Sequence, residues 1–484
     1  MSLRKQATSG MMWTFAQQFS TQGIGFIISV VLARLLLPAE FGIIGMIAIF
    51  MGIGGALVDS GLASSLIRTP DANEEDFSTV FYFNILGSIL IYFILYLTAP
   101  FIANFFDQPI LKNITRVYGI TFIINAFSTI QLTRLTQKMD FKTQMIVSVP
   151  ALIGGGIVGI TLAYLGHGVW SLVWMRLIQS FLNSVQLWIV TKWKPSLIFN
   201  IAKFKYHFNF GYKLLLSGLL DTVFTNIYTV IIGKFFLPAQ LGFYTRASSV
   251  VRMPVDNISG ALHKVTYPLF AQIKDDNERL KKVYKQILQM ISFLIAPTLI
   301  IMGVLATPLF RFLFTEKWLP AVPYFQILCI SGFMYPFHFY NLNILNVKGR
   351  SDLFLKLEII KKVLLVITIL LSIPFGIYGL LWGMVISSAL ALSINAHYSG
   401  KFIHYSGFKQ IKDVLPILLI ALIAGALTLT IDRIMINFKV IDIFRIIIGI
   451  SVGVLSYWAM AVVFKFQSIQ DIKTIIIRKY DTNN

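Results

Sequence analysis

Long apolar runs separated by short polar turns recur along the whole chain. A helix needs about 20 predominantly apolar residues to cross the hydrocarbon of a bilayer. Fourteen stretches meet that need: 11–33, 41–66, 77–98, 114–133, 145–165, 168–191, 211–236, 241–262, 284–306, 321–345, 357–375, 377–398, 414–432 and 443–464. The pattern predicts an all-α polytopic membrane protein of about fourteen transmembrane helices. The external turns rarely exceed about ten to fifteen residues, too few for a folded extramembrane domain.

Two of these segments read almost alike. Residues 30–42 are VVLARLLLPAEFG and residues 230–242 are VIIGKFFLPAQLG, with Arg34 matched to Lys234. Such self-similarity points to internal duplication. In each copy Pro is expected to stop a helix and Gly42 or Gly242 to permit a tight reversal, which makes each copy a helical hairpin. The offset between copies carries six spans, an even number, so the halves are expected to be parallel repeats. Repeats of that kind are related by an axis along the membrane normal, with a substrate cavity between them near the midplane.

The expected organisation is an N-lobe over residues 1–190, a basic connector over 191–212, a C-lobe over 211–400, and spans thirteen and fourteen with a tail over 401–484. The connector, with Lys192, Lys194, Lys203 and Lys205, suits an amphipathic interfacial helix. The last two spans are an accessory pair that would widen a lipid-facing groove of the second lobe.

Composition supports the membrane reading: 56% of residues are hydrophobic, 13% are charged, and mean hydropathy is +0.75. The formal charge of +20 raises the question of a nucleic-acid partner. Its placement answers it. With a cytoplasmic N-terminus, and cations at span edges counted with their loops, 29 of the 41 Lys and Arg fall on the cytoplasmic side, 9 outside and 3 within spans. That is the positive-inside bias of an inner-membrane protein with both termini cytoplasmic, and it implies no nucleic-acid role. The Lys274 to Lys285 loop would also attract anionic lipid, by about 1 kcal/mol per cation. The first apolar run, interrupted by Gln17, Gln18 and Gln22, is expected to be a retained helix and not a cleaved signal.

Motifs for chemistry are absent. Gly154, Gly156 and Gly159 satisfy GxGxxG, but inside an apolar span and not between a strand and a helix. They and Gly52, Gly54 and Gly55 are expected to permit close helix packing. The sequence contains no HExxH, P-loop, nucleophile elbow or clustered metal ligands, and its single cysteine, Cys329, lies in span ten as a buried thiol. The histidines (167, 207, 263, 338, 397 and 404) are scattered. No catalytic residue, metal or cofactor is predicted. Pro336, inside the aromatic run Phe333 to Tyr340, predicts a helix kink.

Ionisable residues in or at the edges of spans carry more information, since charge in hydrocarbon usually faces a partner or a watery cavity. They are Arg34, Asp59, Arg68, Arg176, Asp221, Lys234, Arg246, Arg252 and Asp256. Arg176, the deepest cation, suits anion binding; Arg246 and Arg252 share span eight as further candidate cavity cations, and Arg34 and Lys234 would flank the same side of a central cavity. Arg252 and Asp256 have the i,i+4 spacing of an ion pair. Asp59, Asp221 and Asp256 are candidates for H+ or Na+ coupling. Asp107 and Glu316 stand as isolated external acids.

With fourteen spans, six-span parallel lobes and the LARLLLPAEFG and GKFFLPAQLG hairpins, the chain resembles the polysaccharide transporter branch of the multidrug/oligosaccharidyl-lipid/polysaccharide flippase superfamily, which includes Wzx-type O-antigen and colanic acid exporters. The resemblance implies movement of an undecaprenyl-diphosphate-linked oligosaccharide across a bacterial inner membrane by alternating access, with polysaccharide polymerase and glycosyltransferase partners. It implies no enzymatic activity. Other readings are a lipid-linked peptidoglycan precursor flippase, a cation-coupled drug exporter, for which acidic cavities would be expected, and a membrane glycosyltransferase, for which external acids or a domain would be expected.

Overall fold

The computed structural model describes residues 3–466, with side chains described from Met12 onward except at 261–265. The expected tail beyond 466 and the His263 side chain lie outside the described residues. Within them the chain forms sixteen α-helices and no strand. They are α1 (Leu3–Leu35), α2 (Pro38–Asp59), α3 (Leu62–Arg68), α4 (Glu74–Phe105), α5 (Ile110–Gln137), α6 (Phe141–Tyr164), α7 (Val169–Thr191), α8 (Ile201–Phe235), α9 (Pro238–Gln272), α10 (Asn277–Val304), α11 (Ala306–Phe314), α12 (Val322–Val347), α13 (Ser351–Ser372), α14 (Gly376–Ile403), α15 (Gly407–Asn437) and α16 (Asp442–Val463).

Apart from the short α3 and α11, each helix corresponds to one of the expected spans. Nine described stretches are long and apolar enough to cross a membrane by length and composition, one of them the run Ser351–Ile403 that holds both α13 and α14. Helices α5, α7, α9 and α12 fall short of that apolarity. In α5 the reason is visible: Thr115, Thr121, Ser128, Gln131 and Thr133 are all buried.

The second expected span is not continuous. Ser60 and Gly61 both take positive φ, 46° and 65°, so α2 ends and α3 starts in a new direction. The duplicated hairpins also differ from expectation in detail. Pro38 and Pro238 open α2 and α9 and do not close α1 and α8, as suits a residue that lacks an N–H. In both copies the residue two places into the helix caps it: the Leu37 N–H donates to Glu40 Oε2 at 2.6 Å, and the Leu237 N–H donates to Gln240 Oε1 at 3.1 Å. Gly42 and Gly242 lie inside their helices, so they serve close contact and not chain reversal.

The chain divides into two compact units, Met1–Gly242 and Phe243–Asn484. In the first, α8 packs on α2, α3 and α4. The connector forms no helix of its own. Residues 192–200 are non-helical, and the remainder belongs to α8. Aromatic burial explains the difference, because Trp193 inserts among Leu62, Phe77, Phe81 and Ile130 and its indole N–H donates to Glu74 at 2.5 Å. Asn200 then caps α8 through the Ala202 and Lys203 N–H groups. Between α6 and α7 the backbones meet at Gly155, where an added Cβ would lie 2.7 Å from the Met175 carbonyl oxygen.

In the second unit α10, α12, α14 and α15 form the core, and α13 packs mainly on α14. Helix α16 buttresses α15 and α10: Tyr457 packs with Phe293, Ala296, Ile417 and Ala421, and its hydroxyl donates to the Phe293 carbonyl at 3.0 Å. At the other end of that hairpin Arg445 is buried with a two-pronged bond to Asp432, at 2.9 Å for each prong, and a third bond to Asp442 at 2.8 Å. Pro336 lies inside α12, which continues through it to Val347.

Candidate functional site

A groove of about 1390 Å³ lies in the second unit, walled by α10, α12, α14 and α15. Its sides are apolar, with Leu299, Ile300, Phe333, Phe337, Leu418 and Leu422 among the lining residues. One end carries His397, Lys401, His404 and Lys409, all exposed, where α14 hands over to α15. The α15 wall reaches from Gly407 to Leu429, which at 1.5 Å per residue is about 33 Å. That length matches the roughly 30 Å of bilayer hydrocarbon. An apolar trough of bilayer depth with a cationic end has the chemistry of an amphiphile with an anionic head. Of the accessory pair, α15 forms a wall of this groove, while α16 supports it from behind.

Of the intramembrane charges singled out from the sequence, Arg34, Asp59, Arg68, Arg176, Asp221 and Lys234 fall in the first unit and Arg246, Arg252 and Asp256 in the second. Arg34 is exposed in the last turn of α1. Arg176 is exposed on α7, hydrogen-bonded to Gln179 at 3.2 Å and to the Tyr118 hydroxyl. Lys234 pairs with Asp107 at 2.9 Å and sits over the Phe105 ring. Asp107 is therefore not isolated. Glu316 also has a cation near it, Arg311 at 3.9 Å. Arg246 is buried, with its guanidinium 5.1 Å from the Phe314 ring centre and 5.3 Å from that of Trp318. Arg252 and Asp256 are exposed on α9 and interact through space without a direct ion pair. Asp59 and Asp221 are exposed on α2 and α8. Arg68 lies over the Phe210 ring. Among the described residues no group of His, Cys, Asp and Glu is arranged to hold a metal ion.

Two polar networks escaped the sequence reading. In the first unit, the start of α4 is tied to α8. Asp76 takes a bond from Lys203 Nζ at 3.0 Å and lies 3.0 Å from His207 Nε2, while His207 Nδ1 meets Ser65 Oγ at 2.8 Å. Asp76 precedes the apolar span. Burial pushes its carboxyl up, but bonds from the Asn73 N–H, Lys203 and His207 more than offset this and hold it below the usual carboxylate range. In the second unit, Asn341, Ser399, Gln410 and Tyr284 bond to one another in the interior, and Tyr405 and Lys285 converge on Asp413 at 2.7 and 2.9 Å. Only the apolar neighbours of these residues gave them away in sequence, since a polar residue at helical spacing inside an apolar run must find a partner.

The model of a family described as polysaccharide biosynthesis protein matches residues 31–323. This chain belongs to the polysaccharide biosynthesis protein family. Among the relatives of this family member, teichuronic acid biosynthesis protein TuaB of Bacillus subtilis is 27% identical over 355 residues, 73% of each chain. Lipopolysaccharide biosynthesis protein WzxC of Escherichia coli is 23% identical over 379 residues, 77% of this chain and 76% of that one. Succinoglycan biosynthesis transport protein ExoT of Rhizobium meliloti is 23% identical over 327 residues, 68% of this chain and 66% of its own. The fold is similar to that of the lipid II flippase MurJ in an inward closed conformation, with a TM-score of 0.75 at 15% identity over 95% of this chain and 100% of that one. It is also similar to an inward-facing multidrug resistance transporter of the MATE family, with a TM-score of 0.60 at 15% identity over 80% and 96%. This polysaccharide biosynthesis protein is thus a multi-pass helical membrane protein of that transporter fold.

Proposed function

We propose that the protein is a flippase that carries a lipid-linked oligosaccharide, with an undecaprenyl-diphosphate anchor, from the cytoplasmic to the outer leaflet of a bacterial inner membrane. The observation that carries this reading is the α10/α12/α14/α15 groove, apolar over the depth of a bilayer and cationic at one end. A diphosphate cannot enter hydrocarbon unpaired, because desolvating its charges costs many kcal/mol. Lys401 and Lys409 would hold the diphosphate while the prenyl tail lies along Phe333, Leu418 and Leu422. The relatives named for teichuronic acid, lipopolysaccharide and succinoglycan biosynthesis support a saccharide cargo.

On this reading the exposed cations Arg34, Arg176 and Arg252 assist the head group, while Lys234 and Arg246 act through Asp107 and through the aromatic rings they contact. Both termini are cytoplasmic, in keeping with the Lys and Arg distribution, and the cationic end of the groove lies on that side. The protein performs transport without bond chemistry. Its partners are the glycosyltransferases that build the cargo and the polymerase that consumes it.

The test is deletion of the gene in a host without a second such transporter, with lipid-linked and surface glycans measured together. Lipid-linked oligosaccharide should accumulate and surface polymer should vanish. Wild type should restore export, and a membrane-inserted Lys401→Ala/Lys409→Ala variant should not. Unchanged surface glycan with no accumulated intermediate would overturn the reading.

A further inference from the structure

His338 lies on α12 at its seam with α14. Its Nε2 is 2.9 Å from Ser388 Oγ, and its Nδ1 is 3.3 Å from Asn395 Nδ2. An amide nitrogen only donates. With the amide in this orientation Nδ1 accepts, and a neutral ring carries its proton on Nε2, towards Ser388. Asn395 is fully buried, yet its Oδ1 has no hydrogen-bond partner. An orphaned buried carbonyl oxygen beside a titratable ring needs an explanation.

The charges around the ring come from α13. Lys361 acts on His338 through space and is itself paired with Glu358. Helix α14 contributes Ser388 and Asn395 to the ring. On α10, Tyr284 is bonded to Gln410 of α15. Arg311, Glu316 and Lys317, on α11 and the turn after it, lie before the start of α12, about 24 Å away along the helix at 1.5 Å per residue. One turn beyond His338, Asn341 begins the buried polar network through Ser399 and Gln410 that leads towards Tyr405 and Asp413.

We propose that His338 is the proton-binding site that couples transport to a pH gradient. A proton taken up from one side adds to Nδ1 and makes it a donor. The Asn395 amide turns over, so that Oδ1, now without a partner, accepts from Nδ1. The imidazolium, with both of its N–H groups engaged by Ser388 and Asn395, then repels Lys361 through space and changes the pairing between α12 and α13. Loss of the proton to the other side restores the neutral ring and the original amide. Asn395 is the positioning residue of this switch.

The proposal rests on the transport reading above, so two measurements are combined. The first needs no cargo. In wild type with 15N-labelled histidine, reconstituted in lipid, the resonance that disappears in His338→Gln should titrate with protonation at Nδ1. A His338 that keeps one state from pH 5 to pH 9 overturns the proposal. The second uses a fluorescent undecaprenyl-diphosphate disaccharide in proteoliposomes. One coupled proton and a gradient of one pH unit should bias its distribution about tenfold. His338→Gln should abolish that bias. Asn395→Asp, which offers an anionic acceptor, should move the half-maximal pH of transport up by about one unit, and Asn395→Leu should flatten the profile. A gradient response that persists in His338→Gln overturns the coupling site alone. A wild type that moves no probe overturns the transport reading, and the titration still decides whether His338 takes a proton.

Discussion

Gly42 rests against the carbonyl of Pro238, and Gly242 rests in the same way against the carbonyl of Pro38: a Cβ on either would lie 1.8 or 1.9 Å from the oxygen. The two copies of the Leu-Pro-Ala turn are thus each other's packing partners. In each turn the Pro carbonyl meets a helix surface that only glycine leaves open. The duplication seen in sequence is a reciprocal contact in space.

Gly42→Ala must push two backbones apart, an overpacking change expected to cost about 1–3 kcal/mol or more. It should lower the melting temperature in detergent, and Gly242→Ala should do the same. Gly55→Ala is the control, because nothing lies within 4 Å of its added Cβ. Equal melting of Gly42→Ala and wild type would contradict the close contact.

Removing Asp432 should harm the α15/α16 hairpin more than removing Asp442. Asp432 takes both prongs of the buried Arg445 guanidinium, and Asp442 takes one bond. Asp432→Ala strands a buried cation, a loss of about 3–5 kcal/mol. Thermal unfolding of the two variants side by side measures the difference.

The tie between Asp76 and α8 should be sensitive to acid. A carboxyl held below its ordinary value stabilises the fold above that ordinary value, and the contribution is lost as pH falls through the lowered one. Hydrogen exchange in residues 192–207 should therefore rise on acidification below about pH 4 in wild type. In Asp76→Asn it should already be high at neutral pH, with a loss of about 2 kcal/mol for bonds to a charged group. Slow exchange at neutral pH in that variant would show that the tie is dispensable.

Charge reversal at the groove, Lys401→Glu with Lys409→Glu, should weaken binding of undecaprenyl diphosphate at least about tenfold, or 1.4 kcal/mol. The difference from wild type should shrink as salt rises, since both cations are exposed. Binding unaffected by the reversal would move the head-group site elsewhere.

Much of the architecture is legible in the sequence. The long helices follow the expected spans, and in the most apolar of them the reason is local, because a backbone in hydrocarbon must satisfy its own hydrogen bonds and a helix does so within its own run. The break at Ser60 and Gly61 was not legible, as Asp59 to Leu62 reads as an interruption too slight to end a helix. Nor was the fate of the connector. Its lysines suggest a helix along a lipid surface, whereas residues 192–200 are non-helical and Trp193 is buried among Leu62, Phe77, Phe81 and Ile130.

The candidate site divides along the same line. By itself the sequence determined the order of the long helices, each set by an apolar run of about 20 neighbouring residues, together with the duplicated hairpin and the cationic excess. Only the tertiary structure decided which polar groups meet. It joined Lys234 to Asp107, buried Arg246 against Phe314 and Trp318, brought His338 to Asn395 and lined one groove with residues from four helices. Charge and hydrogen-bond partners act over a few ångströms in space, and residues far apart in the chain become partners only when helices pack.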